Sequence, residues 1–160
     1  MNFQNKIVIG IRDSELSKAQ TKEFVILADR SIEGINQNSF EIKFIKTSGD
    51  IYKNERLDRI GGKGLFIKEI EERILNGEID IGVHSMKDIP TTNHQELEIF
   101  CFMKRLNNSD VLISNSGKNF ADLDSGSIIG TSSIRRRSQI LQLRKDLNIK
   151  LLRGNVDTRI

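Results

Sequence analysis

The stretch Ile7-Val8-Ile9-Gly10-Ile11-Arg12-Asp13-Ser14 has the pattern of a strand that leads into a helix. Its isoleucines occupy alternate positions, which is the period of a β-strand, and a glycine and a hydroxyl residue mark the junction. Apolar residues at helical spacing follow, and they predict a helix that closes near Gly34. These apolar residues are Leu16, Ala19, Phe24, Leu27 and Ala28.

The rest of the chain continues this alternation of strands and helices. Strands are predicted at 40–44, 79–83, 97–101, 128–129 and 149–151, and 111–114 is a further candidate. Helices are predicted at 65–76, ending at Asn76-Gly77, and at 134–143. Ile128-Ile129 and Cys101 are expected to be buried. Strands that alternate with helices of about 10–15 residues predict an α/β fold with mainly parallel sheets flanked by helices.

A second junction, Ile129-Gly130-Thr131-Ser132-Ser133-Ile134-Arg135, repeats the pattern of the first. Ligands of α/β proteins bind at the carboxyl ends of strands, where helices begin. Two such junctions predict two lobes that face a shared cleft, as in periplasmic binding proteins. We expect residues 1–103 to form the first lobe and residues 104–160 to begin a second, incomplete lobe.

Charge is spread unevenly over the 160 residues, although the formal net charge is only +3. Residues 1–100 carry 14 basic and 17 acidic side chains, whereas residues 101–160 carry 11 basic and 5 acidic ones. A basic segment indicates an anionic partner such as a phosphate, a polycarboxylate or a nucleic acid. A solvated basic face is the alternative.

Several classes of protein are disfavoured by composition. One cysteine excludes a disulfide framework, and two histidines without a cluster of further ligands argue against a metal site. No apolar stretch is long enough to span a membrane, and the N-terminus lacks the apolar core of a signal peptide. We therefore expect a cytoplasmic protein.

The stretch Ser133-Ile134-Arg135-Arg136-Arg137 is the most informative chemically. It places three arginines in the first turn of a helix, where the helix dipole disfavours cations. An anionic ligand would resolve this conflict, since guanidinium groups bind carboxylates and phosphates through paired hydrogen bonds. Pairing with acidic residues from elsewhere in the chain is the alternative. Arg153 and Arg159 follow the next strand and would enlarge a polyanion site.

Lys87 and Asp88 follow the strand predicted at 79–83 and precede Pro90. A cation and a carboxylate at a strand end can bind an acidic substrate and move a proton. A surface turn is the alternative. Gly61-Gly62-Lys63-Gly64 is not a nucleotide-binding loop, because Gly64 stands where a Walker A motif needs Ser or Thr.

Four sequence blocks together resemble the porphobilinogen deaminase, or hydroxymethylbilane synthase, family over the whole chain. They are Ile9-Gly10-Ile11-Arg12-Asp13-Ser14, the run from Gly61 through His84-Ser85-Met86-Lys87-Asp88 to Pro90, Gly130-Thr131-Ser132-Ser133-Ile134-Arg135-Arg136, and Leu152-Arg153-Gly154-Asn155-Val156-Asp157-Thr158-Arg159. The resemblance implies a transferase that condenses four porphobilinogen molecules into linear hydroxymethylbilane, with loss of ammonia, on the route to haem. A dipyrromethane cofactor primes the chain.

The resemblance also implies roles for individual residues. Asp88 matches the catalytic aspartate, which holds pyrrole N–H groups and stabilises the cation left by deamination. Lys63 and Phe66 belong to a loop near the substrate. Cofactor or substrate carboxylates would be bound by Arg12, Ser14, Lys87, Thr131, Ser133, Arg135, Arg136, Arg153 and Arg159.

Length is the main departure, because family members are about twice as long as this chain. The resemblance implies that a third domain, with the cysteine that carries the cofactor, is absent, and Cys101 is not at the matching position. We therefore expect an inactive fragment that could self-associate through an exposed sheet edge, although the whole enzyme is usually monomeric. The alternative is a module that binds a carboxylate ligand without catalysis. Nucleic acid and membrane partners are not expected.

Overall fold

The computed structural model describes residues 6–51, 64–92, 94–152, 154 and 156–160. The chain divides into two compact units, Met1–Lys104 and Arg105–Ile160. Within the described part, no helix is long and apolar enough to cross a membrane.

A parallel sheet of three strands forms the centre of the first unit. Its strands are β1 (Ile7–Arg12), β2 (Phe40–Ile45) and β3 (Ile81–Gly82), in the order β2-β1-β3. Ile9 lies opposite Ile42 of β2 and opposite Ile81 of β3, which fixes the register of both pairings. Since all three strands run in the same direction, their carboxyl ends meet at one edge of the sheet.

Both faces of this sheet are covered by helices, α1 (Glu15–Ser31) and α3 (Lys68–Leu75), with the short α2 (Ser48–Ile51) between them in the chain. One apolar cluster contains Ile9, Ile11, Ala28 and Phe40. A second cluster contains Ile45, Ile70 and Ile79. Gly10 allows this packing, because a Cβ there would overlap the side chains of Ile79 and Ile45.

Helix α1 was predicted correctly, and its buried face was predicted in part, since Ala28 is in the core and Phe24 packs against it. Leu16 is 50% exposed and Leu27 is 39% exposed, whereas Ser17 and Thr21 are buried. Local hydrogen bonds allow these two polar side chains to be buried: Ser17 Oγ accepts from Ser14 Oγ, and Thr21 Oγ1 donates to the carbonyl of Ser17. The hydrophobic pattern therefore identified the C-terminal half of the buried face and missed the polar residues of the N-terminal half. Helix α3 is shorter than predicted, but it ends as expected, with Gly77 at a φ of 69°.

The second unit contains two parallel strands, β4 (Ile128–Gly130) and β5 (Asn148–Lys150), with Ile129 opposite Ile149. Helix α4 (Ile134–Leu143) connects them, and α5 (Val156–Arg159) follows. The structure is therefore mixed α/β, with parallel sheets flanked by helices, as the sequence predicted.

Four predictions about strands and burial are wrong. Residues 97–101 and 111–114 have no regular secondary structure, and Cys101 is exposed. Ile128 is a strand residue but is 59% exposed. The cause is physical: alternating apolar residues form a strand only beside a hydrogen-bonding partner, and a sheet of two strands covers little of its own surface.

Candidate functional site

Arg12 lies at the carboxyl end of β1, and its guanidinium group holds the carboxylate of Asp50 in α2. Nη2 is 2.6 Å from Oδ1, and Nε is 3.2 Å from Oδ2. Thr47 binds the same carboxylate, since its Oγ1 donates to Oδ2 at 2.7 Å and its backbone N–H donates at 3.3 Å. Two neighbouring strand ends, those of β1 and β2, thus converge on one carboxylate.

Phe66 covers this ion pair, because its ring centroid is 4.1 Å from the Arg12 guanidinium carbon. Gly49 lets the ring approach, since a Cβ at Gly49 would overlap it. The backbone N–H of Gly49 also donates to the carbonyl of Leu65 at 2.7 Å, which attaches the segment before Phe66 to the turn before Asp50. Guanidinium stacking on an aromatic ring is favourable and restricts the orientation of Arg12.

Electrostatics around Arg12 favour a charged carboxylate and a neutral imidazole. Burial of Asp50 acts to raise the pKa of its carboxyl group, but the hydrogen bonds from Arg12 and Thr47 outweigh burial and lower that pKa. Burial, and then the nearby charge of Arg12, lower the pKa of His84 to about 4. His84 is therefore neutral near pH 7.

Ser14 is buried and caps α1, where its Oγ accepts the backbone N–H of Ser17 at 3.2 Å. This side chain is therefore occupied locally. Ser85, just before Lys87, exchanges hydrogen bonds with Gln20 of α1. The segment that leads to Lys87 and Asp88 is thereby attached to α1.

Lys87 and Asp88 lie in a 3-10 turn, Met86–Asp88, which follows β3. The backbone N–H of Asp88 donates to the carbonyl of Ser85 at 2.9 Å. The Asp88 side chain is half-buried, and Lys87 is exposed. The turn therefore places a cation and a carboxylate after the carboxyl end of a strand, which is the position that the sequence predicted for them.

The second unit carries a second group of predicted site residues, where β4 leads into α4. Ser133 caps α4, and its Oγ accepts the backbone N–H of Arg136 at 3.3 Å. Thr131 Oγ1 accepts the backbone N–H of Ser133 at 3.2 Å. Both hydroxyl groups thus order the backbone that leads into the helix.

Arg135 and Arg136 share one carboxylate, that of Asp110. Arg135 donates to both oxygens at 2.8 and 3.0 Å, and Arg136 Nε donates at 2.7 Å. Hydrogen bonding from Arg135, helped by Arg136, lowers the pKa of Asp110 to about 2. The structure thus shows the alternative in which acidic residues from elsewhere pair with the arginines. It also shows that this arginine pair fits a carboxylate.

The remaining predicted residues are less informative. Arg159 ends α5, and its Nε is buried without a hydrogen-bond partner in the described structure. Lys63 and Arg153 lie outside the described residues. Among those that are described, no three His, Cys, Asp or Glu side chains come together in a group that could hold a metal ion.

Asp50, Thr47 and Asp110 were missed by the sequence interpretation. Asp50 had a detectable signal, because Thr47-Ser48-Gly49-Asp50 follows the strand at 40–44 just as Arg12-Asp13-Ser14 follows the first strand. Asp110 carried no such signal, since it lies 25 residues before Arg135 in a segment without regular structure.

The fold and these side chains define an α/β protein whose two units each hold a carboxylate with arginine after a parallel strand. A family model described as "Porphobilinogen deaminase, dipyromethane cofactor binding domain" matches residues 7–160. The chain belongs to the porphobilinogen deaminase family. The matched domain is the one that binds the dipyrromethane cofactor.

Curated relatives agree with this assignment. Proteins named porphobilinogen deaminase are 48% identical in an Exiguobacterium species, 50% in a Geobacillus species and 45% in Bacillus mycoides. Each match covers 97% of this chain. It covers 50% of the Exiguobacterium protein and 49% of each of the other two. The chain therefore spans about half the length of these relatives.

The donor groups fit such a cofactor. The two pyrrole rings of a dipyrromethane carry acetate and propionate groups, which need cationic and hydroxyl donors. Arg12, Arg135 and Arg136 each already hold a carboxylate, although it comes from the chain itself. Guanidinium groups are suited to this binding because their N–H groups match the spacing of carboxylate oxygens.

Proposed function

We propose that this chain is the cofactor-binding part of a hydroxymethylbilane synthase, which condenses four porphobilinogen molecules into a linear tetrapyrrole with loss of ammonia. One observation carries the proposal within the structure. In the second unit, Arg135 and Arg136 at the start of α4 hold the carboxylate of Asp110. Porphobilinogen and its oligomers are polycarboxylates, so each added pyrrole brings groups of the kind that this pair binds.

The carboxylate-binding residues have separate tasks in this proposal. In the first unit, Arg12 binds a carboxylate, and in the second unit, Arg135 and Arg136 bind one. Ser133 and Thr131 order the backbone where α4 begins. The dipyrromethane, when bound, supplies the primer on which the oligomer grows. Lys63, Lys87, Arg153 and Arg159 are proposed to bind further carboxylates, and Ser14 and Phe66 to shape the site around Arg12.

Asp88 is proposed as the catalytic residue. Its half-buried carboxylate follows β3 in an ordered turn, and it can accept hydrogen bonds from pyrrole N–H groups. A negative charge at this point stabilises the cation that forms when ammonia leaves, and the same group can carry a proton to the departing amine. Lys87 is exposed beside it and can bind a substrate carboxylate.

We propose that residues 1–103 form the first lobe and residues 104–160 begin the second lobe of a fold like that of periplasmic binding proteins. The parallel sheets and the helices that start at their strand ends support this assignment. We also propose a cytoplasmic location, because the substrate belongs to tetrapyrrole biosynthesis.

The test measures binding and turnover separately. The chain is titrated with porphobilinogen by calorimetry, and binding is expected to weaken at least tenfold in Arg136→Gln, since a charged guanidinium donor is lost (a tenfold change corresponds to about 1.4 kcal/mol). Arg137→Gln is the matched control, because Arg137 is the adjacent, exposed arginine of α4.

Turnover is measured in a chimera that continues this chain with the second half of the Geobacillus relative. Ammonia release and tetrapyrrole formation are expected, and Asp88→Asn is expected to reduce them at least a hundredfold, as removal of a general acid–base group does. A folded chimera that binds porphobilinogen but releases no ammonia would contradict the proposal and favour a carboxylate-binding module. The carboxylates already held in each unit are the observation in favour of that alternative.

A further inference from the structure

Arg12 and Asp50 meet through one edge of the guanidinium group only. Nε and Nη2 donate to the two oxygens of Asp50, and among the described residues Nη1 has no hydrogen-bond acceptor. A guanidinium group has five N–H bonds, so this side-on pair leaves three of them, on Nη1 and Nη2, for a second carboxylate. With respect to the residues that the structure describes, the opposite edge of Arg12 is therefore available for a ligand.

Asp50 is itself held in place, which makes it unsuited to leave when a ligand arrives. Its Oδ2 accepts from Arg12 Nε and from both the hydroxyl and the backbone N–H of Thr47. Thr47 is fully buried, and the Asp50 side chain is only 17% exposed. Displacing the Asp50 carboxylate would break four hydrogen bonds and leave the Thr47 hydroxyl without its acceptor.

Phe66 restricts the remaining freedom of Arg12. Its ring lies against the guanidinium group at 4.1 Å, and Gly49 provides the space for that ring. The guanidinium plane is thus fixed at one edge by Asp50 and on one face by Phe66. A side chain that is ordered before binding loses less conformational entropy when the ligand arrives.

Asp110 in the second unit differs from Asp50 in how easily a ligand carboxylate can replace it. Its side chain is 39% exposed, and among the described residues it accepts hydrogen bonds from Arg135 and Arg136. No buried hydroxyl group donates to it within the described structure. A ligand carboxylate can replace Asp110 without leaving a buried group unsatisfied, whereas it cannot replace Asp50 in that way.

We propose that Asp50 is a positioning residue, which fixes Arg12 through its Nε edge so that the Nη1 edge binds a carboxylate of the cofactor or the substrate. This inference rests on the proposed function, because that function supplies the ligand. Asp50 contacts no ligand in this arrangement and acts only through Arg12. Its negative charge works against binding an anion, so its contribution is the geometry of Arg12.

The charge of Asp50 and its positioning of Arg12 predict opposite changes in the affinity for porphobilinogen when Asp50 is replaced. Asp50→Asn removes the charge and one of the two acceptor oxygens while it keeps the shape of the side chain. If charge dominates, the chain binds porphobilinogen more tightly in this variant. If positioning dominates, the dissociation constant measured by calorimetry rises, and we expect a rise of at least tenfold. Glu41→Gln is the matched control, since it removes one negative charge from an exposed site on β2.

Arg12→Gln separates this inference from the proposed function. Unchanged porphobilinogen binding in Arg12→Gln would overturn the role of Arg12 in the proposed function. Weaker binding in Arg12→Gln together with unchanged or tighter binding in Asp50→Asn would overturn the inference about Asp50 alone. Weaker binding in both variants, with Glu41→Gln unchanged, supports both.

A measurement on the unmodified chain covers the case in which Asp50→Asn does not fold. The Arg12 Nε–H signal in NMR spectra is expected to be protected from exchange with water, both without porphobilinogen and at saturation, because its acceptor stays in place. Loss of that protection when porphobilinogen is added would show that the ligand displaces Asp50, and it would overturn the inference.

Discussion

His84 is expected to make the stability of this protein sensitive to acid. Its pKa is lowered from the ordinary value of 6.5 to about 4 in the folded chain, because burial and then the charge of Arg12 disfavour the imidazolium form. The unfolded chain therefore binds a proton at a higher pH than the folded chain does. The stability contributed by His84 is complete above the ordinary pKa and decreases as the pH falls from 6.5 towards 4.

The size of the effect follows from these two values. At about pH 4.5, protonation of His84 in the unfolded state lowers the free energy of unfolding by about 2.5 kcal/mol. This is a large part of the free energy of unfolding of an ordinary domain, which is about 5–15 kcal/mol. Asp50 acts in the same direction at lower pH, since its pKa is lowered in the folded chain and its protonation removes stability.

The assay compares urea unfolding of the unmodified chain and of His84→Gln at about pH 7.5 and about pH 4.5. Other groups titrate in both proteins and cancel in the difference, so the unmodified chain should lose about 2.5 kcal/mol more than the variant over this range. His94→Gln is the control, because His94 is exposed. The reasoning would be refuted if the loss in free energy of unfolding between the two pH values differed by less than about 0.5 kcal/mol between His84→Gln and the unmodified chain. An imidazole titration of His84 with a midpoint near 6.5 would also refute it.

Two further predictions concern packing and helix capping. Gly49→Ala should lower the free energy of unfolding by about 1–3 kcal/mol, because the added Cβ overlaps the ring of Phe66. This loss should be smaller when Phe66 is also replaced by alanine. Urea unfolding of the unmodified chain, the two single variants and the double variant measures both effects. Ser133→Ala should lower stability by about 1 kcal/mol and speed amide exchange at Arg136, whose N–H loses its acceptor. Ser132→Ala removes the adjacent, exposed hydroxyl, and an equal effect there would contradict the capping role of Ser133.

The sequence was informative where structure is local. The alternation of Ile7, Ile9 and Ile11 predicted β1, and the glycine at 77 predicted where α3 ends. Ser133 directly precedes the helix predicted at 134–143, and in the structure it caps that helix. These features depend on the conformation of a few consecutive residues, which composition and spacing report directly.

Sequence patterns failed where the outcome depends on neighbours that are distant in the chain. Cys101 and its neighbours Phe100 and Phe102 are exposed, and their segment forms no strand, because no partner strand pairs with it in the described structure. The buried face of α1 contains Ser17 and Thr21, which hydropathy places outside. In both cases the available packing surface decided burial.

The same distinction between local features and distant contacts applies to the candidate site. The sequence by itself determined the residue types, because arginines and hydroxyl groups after a strand are suited to a polycarboxylate ligand, and four motif blocks indicated the family. Only the tertiary structure decided which acceptors these arginines have. Asp50 lies 38 residues from Arg12, and Asp110 lies 25 residues from Arg135. Hydrogen bonds over such separations depend on how strands and helices pack, and that packing leaves one carboxylate fixed beside Arg12 and the other exposed beside Arg135.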